Sequence, residues 1–315
     1  NVIEVDDINI FVEGDMILIE DSGVRGYVTD VEDTESNHIK IIPGFDSDDT
    51  ATNITGGEDI QIIGNTDAEG GGPRDENRRQ IVSPYNYLQI FKDNFSMTEI
   101  QQTIKTYGER SDWDYLRYKK GIEHNEKIER ALLWGGRKKI QNSNIGNNYA
   151  WTTRGVFNWI STNVKTLGNS TAITEDSWNN FLKDKAFAHG NNKKTLFASP
   201  TLAHQISTWA RDNGSVQVNP GSNKKWGIHV DSYTSTLGYT LDVVVHKQLT
   251  GNKYGQCGVI LDMDAINLRY LQGNGKSFDT KLLVDIKDGD GYHSQMDEYY
   301  SVLGLELKQE ERHAA

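Results

Sequence analysis

The chain has 315 residues, enough for one large hydrophobic core or two smaller ones, and 36% of its residues are hydrophobic. Its 33 lysines and arginines are outnumbered by 45 aspartates and glutamates, and the net charge of -12 argues against a general nucleic-acid-binding surface. No apolar run approaches the roughly 20 residues of a membrane-spanning helix, and the single cysteine, Cys257, excludes an internal disulfide framework.

Residues 1–65 are predicted to be all β. Short segments rich in valine and isoleucine are separated by glycines and polar clusters, which is the pattern of a small antiparallel barrel or sandwich. The predicted strands are residues 8–12, 15–20, 24–31, 38–42 and 60–63. Helix signal is nearly absent in this part of the chain, so we expect a small β unit here.

The next segment, residues 65–80, contains three glycines, one proline, mixed charge and no large apolar side chain. Because such a segment cannot bury an apolar face of its own, it is predicted to be a long, exposed and mobile loop. Strand character returns over residues 81–96, where Tyr87, Ile90 and Phe91 supply aromatic and β-branched side chains.

The clearest helix signal covers residues 111–134. Ser111 is a favourable N-cap, and Asp112 and Asp114 fall in the first turn, where the helix dipole favours anions. The pair at residues 135–136, two glycines, predicts the C-terminal stop. Such a helix would be roughly 35 Å long at 1.5 Å per residue. Its apolar positions are sparse, so we expect it to lie across a sheet with one face in water.

Charged residues along this segment support the helix. Glu123 precedes Lys127 by four positions, and Glu126 precedes Arg130 by four, with the acid first, which is the favourable order for an ion pair. Residues 137–139 are three consecutive basic residues just beyond the predicted stop. We interpret them as cations near the negative end of the helix dipole.

The rest of the chain alternates between short strands and helices. Helices are predicted for residues 175–188, with Thr174 as the N-cap, and for residues 200–211. Strands are predicted for residues 195–198, 226–233, 241–246, 258–261, 268–271, 281–286 and 299–307. No internal repeat is present, and this mixture places the chain in the α+β class.

Motifs for nucleotide or calcium binding are incomplete. Residues 273–277 (GNGKS) resemble the end of a phosphate-binding loop, but Tyr270 stands where that loop needs a glycine. We therefore interpret them as a polar hairpin turn. The acidic cluster at residues 285–290 has calcium-loop spacing only in part, because Lys287 stands at a ligand position. A solvated turn is the interpretation we favour.

Motifs for catalysis are missing as well. The eight histidines lack the spacings of zinc sites, and the sequence has no GxSxG nucleophile motif. Cys257 precedes an apolar strand and is interpreted as a small buried residue rather than a nucleophile. Asp262 and Asp264 are interpreted as a turn or helix-start signal. We therefore predict no catalytic, cofactor-binding or metal-binding residue and no enzymatic activity.

Several segments, taken in chain order, carry a family resemblance. They are residues 11–17 (FVEGDMI) with 28–31 (VTDV), 62–65 (IIGN) followed by 69–70, 86–91 (NYLQIF) with 96–98, 128–135 (IERALLWG), 233–245 and 303–315. No single match is specific, but their order and spacing extend over nearly the whole chain. The chain resembles the major capsid proteins of tailed bacteriophages with the Hong Kong 97-type fold, most closely the subgroup with a β insertion before the spine helix.

This resemblance implies an α+β Hong Kong 97-like fold with an extended loop, a long spine helix, peripheral and axial domains, and a small all-β insertion at the N-terminal side. The implied divisions are residues 1–64 for the insertion, 65–106 for the extended loop and its return strand, 107–152 for the spine helix and part of the peripheral domain, 153–254 for an axial-like α+β body, and 255–315 for C-terminal strands that return to the peripheral domain.

The resemblance also implies a function and its partners. The chain would be a major head protein that assembles with copies of itself into the pentamers and hexamers of an icosahedral shell. The shell would enclose double-stranded DNA without sequence-specific binding. A portal protein and decoration proteins are further expected partners, and a membrane is not. The expected location is the virion, after assembly in the cytoplasm of the bacterial host.

Two family features do not map onto this sequence. Family members carry a further N-terminal region with an arm that reaches neighbouring subunits, and this chain starts after it, at Asn1. We expect that a maturation protease removed the region or that the sequence omits it. Covalent crosslinking in the type member needs a lysine in the extended loop. Residues 65–84 contain arginines but no lysine, so crosslinking is not expected.

The extended loop supplies the candidate residues for subunit contacts. They are Arg74, Asp75, Glu76, Arg78 and Arg79. Charges of both signs can pair across a subunit boundary, and burial against a neighbour would offset the entropy of ordering the loop. The alternative for this segment is a solvated surface loop with no partner.

Two other functions for the whole chain stay open at this point. A phage tail or receptor-binding structural protein would also be β-rich, acidic and free of cysteine pairs, although it would more often show repeats and no long helix. A carbohydrate-acting enzyme could stack sugars on the seven tryptophans and fourteen tyrosines, but it would need a pair of carboxylates in a cleft.

Overall fold

The computed structural model describes residues 2–34, 36–44, 54, 56–74, 82–104, 112–141, 148–168, 173–212, 232–235, 238–286 and 293–315. The chain divides into two units, Asn1–Pro84 and Tyr85–Ala315. The strands are β1 (Val2–Glu4), β2 (Asp15–Ile19), β3 (Arg25–Thr34), β4 (Ser36–Pro43), β5 (Ile60–Asn65), β6 (Gln89–Thr98), β7 (Lys138–Gln141), β8 (Tyr149–Thr152), β9 (Lys193–Ala198), β10 (Ser232–Thr234), β11 (Thr240–Val245), β12 (Gly258–Leu261), β13 (Ile266–Tyr270), β14 (Gln272–Gly273), β15 (Lys276–Ser277), β16 (Lys281–Leu283) and β17 (Ser294–Leu307). The α-helices are α1 (Glu99–Thr103), α2 (Asp112–Trp134), α3 (Val156–Trp159), α4 (Glu175–Phe181), α5 (Pro200–Asp212) and α6 (Gly251–Tyr254).

The first unit is an antiparallel sheet with the strand order β1-β4-β3-β2-β5. Alternate residues of β2 point into its core, so Ile17 and Ile19 are buried together with Val28, Ile39 and Ile41. The prediction of an all-β segment at residues 1–65 is confirmed for the part of it that the structure describes.

One predicted strand of this unit is wrong. Residues 8–12 do not pair in the sheet, and Ile8–Ile10 forms a 3₁₀ turn instead. The carboxylate of Asp7 accepts a hydrogen bond from the backbone N–H of Asn9 at 3.1 Å, and the N–H of Phe11 bonds to the carbonyl of Ile8. These local bonds compete with strand pairing, while Ile8 and Phe11 still reach the core.

The long helix lies on an antiparallel sheet in the second unit. The central strand is β17, which pairs with β6 along one edge and with β13 and β16 along the other. Helix α2 packs against β6 and β17. The predicted helix over residues 111–134 is thus confirmed from Asp112 onward, and the expected N-cap, Ser111, lies outside the described residues.

The predicted return strand at residues 81–96 is shifted. Pairing begins only at Gln89 and continues to Thr98, and residues 82–88 form no strand. The side chain of Asn86 explains part of the difference. Its amide donates to the carbonyl of Leu305 at 2.8 Å and to Thr153 Oγ1 at 3.1 Å, while its oxygen accepts from the N–H of Tyr87 at 2.9 Å. These bonds hold the chain in an irregular conformation before β6.

A second sheet of this unit has the order β10-β11-β9-β12. Strands β9 and β11 are parallel and the other pairs are antiparallel. Its core contains Leu182, Leu196, Ile206, Leu241 and Ile260, contributed by strands and by the helices that cover them. Together with the all-β first unit and the helix-covered sheet, this arrangement confirms the α+β class.

The remaining helices follow the predicted positions. Thr174 caps α4, since its Oγ1 accepts from the N–H of Ser177 at 3.3 Å. The predicted segment 175–188 is helical in two parts, because a π-helical turn at Leu182–Ala186 continues α4. Helix α5 extends one residue beyond the predicted 200–211.

Most predicted strands of the second unit are observed within a few residues. The strand predicted at 281–286 ends at Leu283, whereas the one predicted at 299–307 already begins at Ser294. Of the predicted strand 226–233, only the last two residues are described, and they belong to β10.

Residues 273–277 form a hairpin, as predicted, rather than a phosphate-binding loop. Strands β14 and β15 are joined by Asn274 and Gly275, whose φ angles are +49° and +71°. Two successive positive φ angles are the signature of the tight hairpin turn that Asn-Gly favours. Asp262 likewise caps the 3₁₀ turn Met263–Ala265 by accepting from the N–H of Asp264, which confirms the predicted turn signal.

Candidate assembly site

The charged loop before β6 was the first candidate, and the structure describes its beginning. Of the five candidate residues, only Arg74 is described, and Asp75, Glu76, Arg78 and Arg79 lie outside the described residues. The guanidinium of Arg74 donates to the carbonyl of Glu13 at 2.7 Å and to Asp15 Oδ1 at 2.8 Å, and lies 3.5 Å from Asp67 Oδ1. Arg74 therefore fastens the start of the loop to the beginning of β2.

The chain passes closely over this arginine because Gly14 has no side chain. Gly14 has φ +93°, and a Cβ there would lie 3.2 Å from Arg74 Nη2, from Asp67 Oδ1 and from the carbonyl oxygen of Thr66. Asp15 is buried and its second oxygen accepts from the N–H of Val12 at 2.9 Å. The hydrogen bond to Asp15 raises the pKa of Arg74 above its ordinary value. Hydrogen bonds and ion pairs, rather than buried apolar side chains, therefore hold residues 66–74 in place.

The second candidate feature is the seam between α2 and its sheet. Two apolar side chains of the helix are buried, Ile128 and Leu133, and Ala131 and Leu132 are partly buried beside Ile128. Ile128 packs with Phe91 and Leu303, and the ring of Trp113 lies 5.2 Å from that of Phe95. Polar side chains occupy much of the rest of the seam.

A buried histidine lies at the middle of this seam. His124 has no exposed surface; its Nδ1 lies 2.7 Å from Asp93 Oδ2 on β6, and its Nε2 lies 2.8 Å from Ser301 Oγ on β17. Ser301 Oγ in turn lies 3.0 Å from Thr280 Oγ1. Lys127, one turn along α2, bonds to the other oxygen of Asp93. One helix and two strands are thus joined by a continuous polar network.

Asp93 carries the negative charge of this network. Burial raises the pKa of Asp93, but the hydrogen bonds from Lys127 and His124 outweigh burial, so the pKa lies below its ordinary value. The order Asp93, His124, Ser301 repeats the connectivity of a hydrolase triad. Ser301 and His124 are fully buried, however, so a substrate cannot reach the hydroxyl in this structure. The geometry suits a structural clamp, which consists of Asp93, His124, Lys127 and Ser301.

A second buried carboxylate joins the N-terminal half of α2 to the sheet. Asp297 of β17 is fully buried; its Oδ2 accepts from Arg117 at 2.6 Å and its Oδ1 accepts from the N–H of Asp285 at 2.9 Å. The hydroxyl of Tyr299 donates to the carbonyl of Arg117 at 3.1 Å. A Cβ on Gly121 would lie only 3.0 Å from that hydroxyl, so the close approach of helix and sheet favours glycine at this position.

Ion pairs along α2 differ in part from those predicted. Glu126 and Arg130 pair at 3.1 Å as expected. Glu123 instead pairs with Lys120 at 2.6 Å, because Lys127 is directed toward Asp93. A long-range partner in the sheet therefore replaces the local i, i+4 pair.

The C-terminal end of α2 is held by side chains that follow β11 and by a side chain of α3. Glu129 accepts from His246 Nε2 and from Gln248 Nε2, both at 2.7 Å. Asn158 Nδ2 donates to the carbonyls of Trp134 and Gly135 at 3.0 and 2.7 Å, so it satisfies two carbonyls at the helix end. The helix stops at the predicted glycine pair.

The described residues contain neither a metal cluster nor a membrane-spanning helix. Within them, no group of three or more histidine, cysteine or acidic side chains is arranged to hold a metal ion, and no helix is long and apolar enough to cross a membrane. Cys257 is half-buried, donates to the carbonyl of Tyr254, and has a pKa raised by burial. It is thus half-buried, whereas a buried residue was predicted.

Comparisons with known proteins identify a family. Residues 22–315 match the family described as SU10 major capsid protein. No curated protein matches the chain. Among solved structures, the SrpI encapsulin of Synechococcus elongatus PCC 7942 is 11% identical with a TM-score of 0.46, covering 93% of this chain and 80% of that one.

Two phage structures are similar to a comparable degree. That of Mycobacterium phage Patience is 13% identical with a TM-score of 0.42, covering 78% of this chain and 77% of that one. The capsid of cyanophage P-SCSP1u is 11% identical with a TM-score of 0.42, covering 80% of each chain. On the sequence match, which spans nearly all of its length, the chain belongs to the SU10 major capsid protein family: it is a major capsid protein, a structural component of the virion.

Proposed function

We propose that the chain assembles with copies of itself into the pentamers and hexamers of an icosahedral shell that encloses double-stranded DNA. The observation that carries this proposal is the family match over residues 22–315. A shell subunit acts through repeated interfaces, so the protein needs no catalytic, cofactor or metal site and has no enzymatic activity. The same match favours a head protein over the tail-protein and carbohydrate-enzyme alternatives.

The buried hydrogen bonds between α2 and its sheet support this role physically. A subunit that repeats many times in a closed shell must present its interfaces at fixed angles. Two buried carboxylates, Asp93 and Asp297, bond α2 to the sheet near its middle and in its N-terminal half. Leaving a buried carboxylate without its hydrogen-bond partner typically costs about 1–3 kcal/mol, so these bonds oppose rotation or sliding of the helix. The helix and sheet therefore move as one body.

The loop at residues 65–80 is proposed as the arm that clasps a neighbouring subunit. Arg74 holds the base of this arm to the first unit. Beyond it, Asp75, Glu76, Arg78 and Arg79 would form ion pairs with a second copy; bidentate arginine–carboxylate pairs suit such a boundary. We further propose the domain divisions 1–64, 65–106, 107–152, 153–254 and 255–315, and the subgroup with a β insertion, for this chain.

Electron microscopy of the expressed protein tests the proposal. Expression of the whole chain, with any preceding segment of its gene restored, should yield closed shells built from rings of five and six subunits. Co-expression with a portal protein should give shells with one distinct vertex. If the protein formed only fibres, or stayed monomeric under all assembly conditions, the shell function would be refuted.

A further inference from the structure

A basic and aromatic patch lies where α2 ends and the hairpin of β7 and β8 begins. The three consecutive cations Arg137, Lys138 and Lys139 are exposed. Among the residues that the structure describes, no carboxylate lies within ion-pair distance of them. They form a run of three adjacent positive charges in a chain whose net charge is -12.

Aromatic rings hold two of these cations, Arg137 and Lys139, in place. Lys139 Nζ lies 3.7 Å from the centre of the Tyr149 ring and 4.8 Å from that of Trp151. The guanidinium carbon of Arg137 lies 4.2 Å from the ring centre of Tyr85, and Arg137 Nη1 donates to the carbonyl of Tyr85 at 2.6 Å. A cation–π contact orients a charge without neutralising it, so the side chains stay positively charged and available to an anion.

The rings themselves form a connected surface. Tyr87 lies 4.7 Å from Trp151 and 5.5 Å from Tyr85 between ring centres, with the rings edge to face. Tyr85 is 58% exposed and Tyr149 is 47% exposed. Exposed rings beside lysine and arginine are typical of surfaces that bind nucleic acid, where cations pair with phosphates and rings contact sugars or bases.

We propose that the patch formed by Tyr85, Arg137, Lys138, Lys139 and Tyr149 binds the sugar–phosphate backbone of DNA, independently of base sequence. This inference rests on the proposed function, because the DNA that binds the patch would be the DNA enclosed by the shell. The negative charge of the whole chain keeps this contact local and weak, and a weak contact lets DNA move along the inner wall of a shell. An acidic surface of a second copy is the competing ligand.

The test is DNA binding by the purified whole chain, measured by fluorescence anisotropy of a short labelled duplex over a series of salt concentrations. Three phosphate contacts predict a slope of about -2.7 in log K against log salt concentration, at about -0.9 for each contact. The variant Lys138→Glu/Lys139→Glu should reduce the slope by about 2 and lower the affinity at low salt at least tenfold. The control Lys247→Glu/Lys276→Glu changes the net charge equally at exposed sites elsewhere and should retain the slope.

The aromatic contribution is tested separately. Tyr149→Leu keeps all three charges but removes one ring from Lys139, so the affinity should fall severalfold while the salt slope stays unchanged. Circular dichroism of each variant checks that the fold is retained. For a variant that does not fold, Lys138→Gln/Lys139→Gln replaces the charge reversal and should lower the slope in the same way.

Each contrary result is decisive. A wild-type chain that does not bind DNA, or a charge-reversed patch that binds with an unchanged slope, would overturn the proposal. Unchanged DNA binding together with lost shell formation would assign the patch to an acidic surface of a second copy, which also overturns it. Shell formation and DNA binding are read independently. Shells formed by a chain that does not bind DNA would refute this inference and leave the proposed function standing.

Discussion

His124 and Asp93 meet beneath the long helix, with Nδ1 of the histidine 2.7 Å from Oδ2 of the aspartate. Thirty-one positions separate the two residues, one on α2 and one on β6. His124 is fully buried, and both of its ring nitrogens have partners, since Ser301 on β17 takes the other one. A buried polar side chain destabilises a fold unless it is hydrogen-bonded, so this pairing fixes how the helix must lie on the sheet.

Removing the charge of Asp93 should destabilise the subunit strongly. Asp93→Asn keeps the shape of the side chain but leaves Lys127 and His124 without their carboxylate. Lys127 is half-exposed, so the main cost comes from the buried His124, and we expect the free energy of unfolding to fall by about 1–3 kcal/mol, measured by urea denaturation. The control Glu126→Gln breaks an exposed pair with Arg130 and should change it by less than about 0.5 kcal/mol. Equal losses from the two variants would contradict a buried clamp.

The same carboxylate should make stability depend on acidic pH. Because the pKa of Asp93 is lowered in the folded chain, its contribution is fully present above the unfolded value near 3.9 and is lost as pH falls through the folded value. The difference in unfolding free energy between wild type and Asp93→Asn should therefore be constant at neutral pH and shrink below about pH 4. A difference that grows on acidification would reverse the assigned sign.

Gly121 should resist a substitution that helices normally welcome. Glycine to alanine within a helix usually stabilises by about 1 kcal/mol. Here the new Cβ would lie 3.0 Å from the hydroxyl of Tyr299 and 3.2 Å from its Cζ, so Gly121→Ala should instead destabilise, by about 1 kcal/mol. In the Tyr299→Phe background the hydroxyl is absent and the cost of Gly121→Ala should fall. A double-mutant cycle with no coupling would show that the contact is not the cause.

Local signals predicted the helices well. The acidic first turn and the glycine stop define α2, and Thr174 predicts the start of α4, because caps and dipole effects act within a few residues. Residues 8–12 were mispredicted for a related reason. Their isoleucines and valine have high β propensity, but the Asp7 side chain bonds to the backbone and closes a 3₁₀ turn first.

The clamp could not be predicted in the same way. Ser301 is 177 positions from His124. The network forms only because β6 pairs with β17, which places both Asp93 and Ser301 beneath the helix. In β6 the buried face is Phe91, Asp93, Phe95 and Met97, an alternation in which the aspartate looks like an interruption. An acidic residue at a core position of a strand is a signal that could have been followed.

The arginines of the loop at residues 65–80 should divide into two roles. Arg74 is bonded to Asp15, which is 8% exposed, so Arg74→Glu places two negative charges together and should lower the melting temperature of the subunit. Arg78 and Arg79, which lie outside the described residues, are proposed to bind a neighbouring copy. Arg78→Glu/Arg79→Glu should leave the melting temperature unchanged, because exposed charges contribute little to stability.

Although its melting temperature should be unchanged, the Arg78→Glu/Arg79→Glu variant should give a lower yield of shells, and this loss should depend on ionic strength. For Arg78→Glu/Arg79→Glu, like charges would face each other across the boundary, and the loss of yield should be larger at low salt, where repulsion is least screened. The measurement is sedimentation of assembled shells at two ionic strengths, beside thermal melting of the unassembled subunit. Lys247→Glu/Lys276→Glu makes an equal change in net charge and controls for general repulsion between subunits. An equal loss of yield in that control would remove the loop from the interface, and a lowered melting temperature in the Arg78/Arg79 variant would assign both arginines to the subunit's own fold.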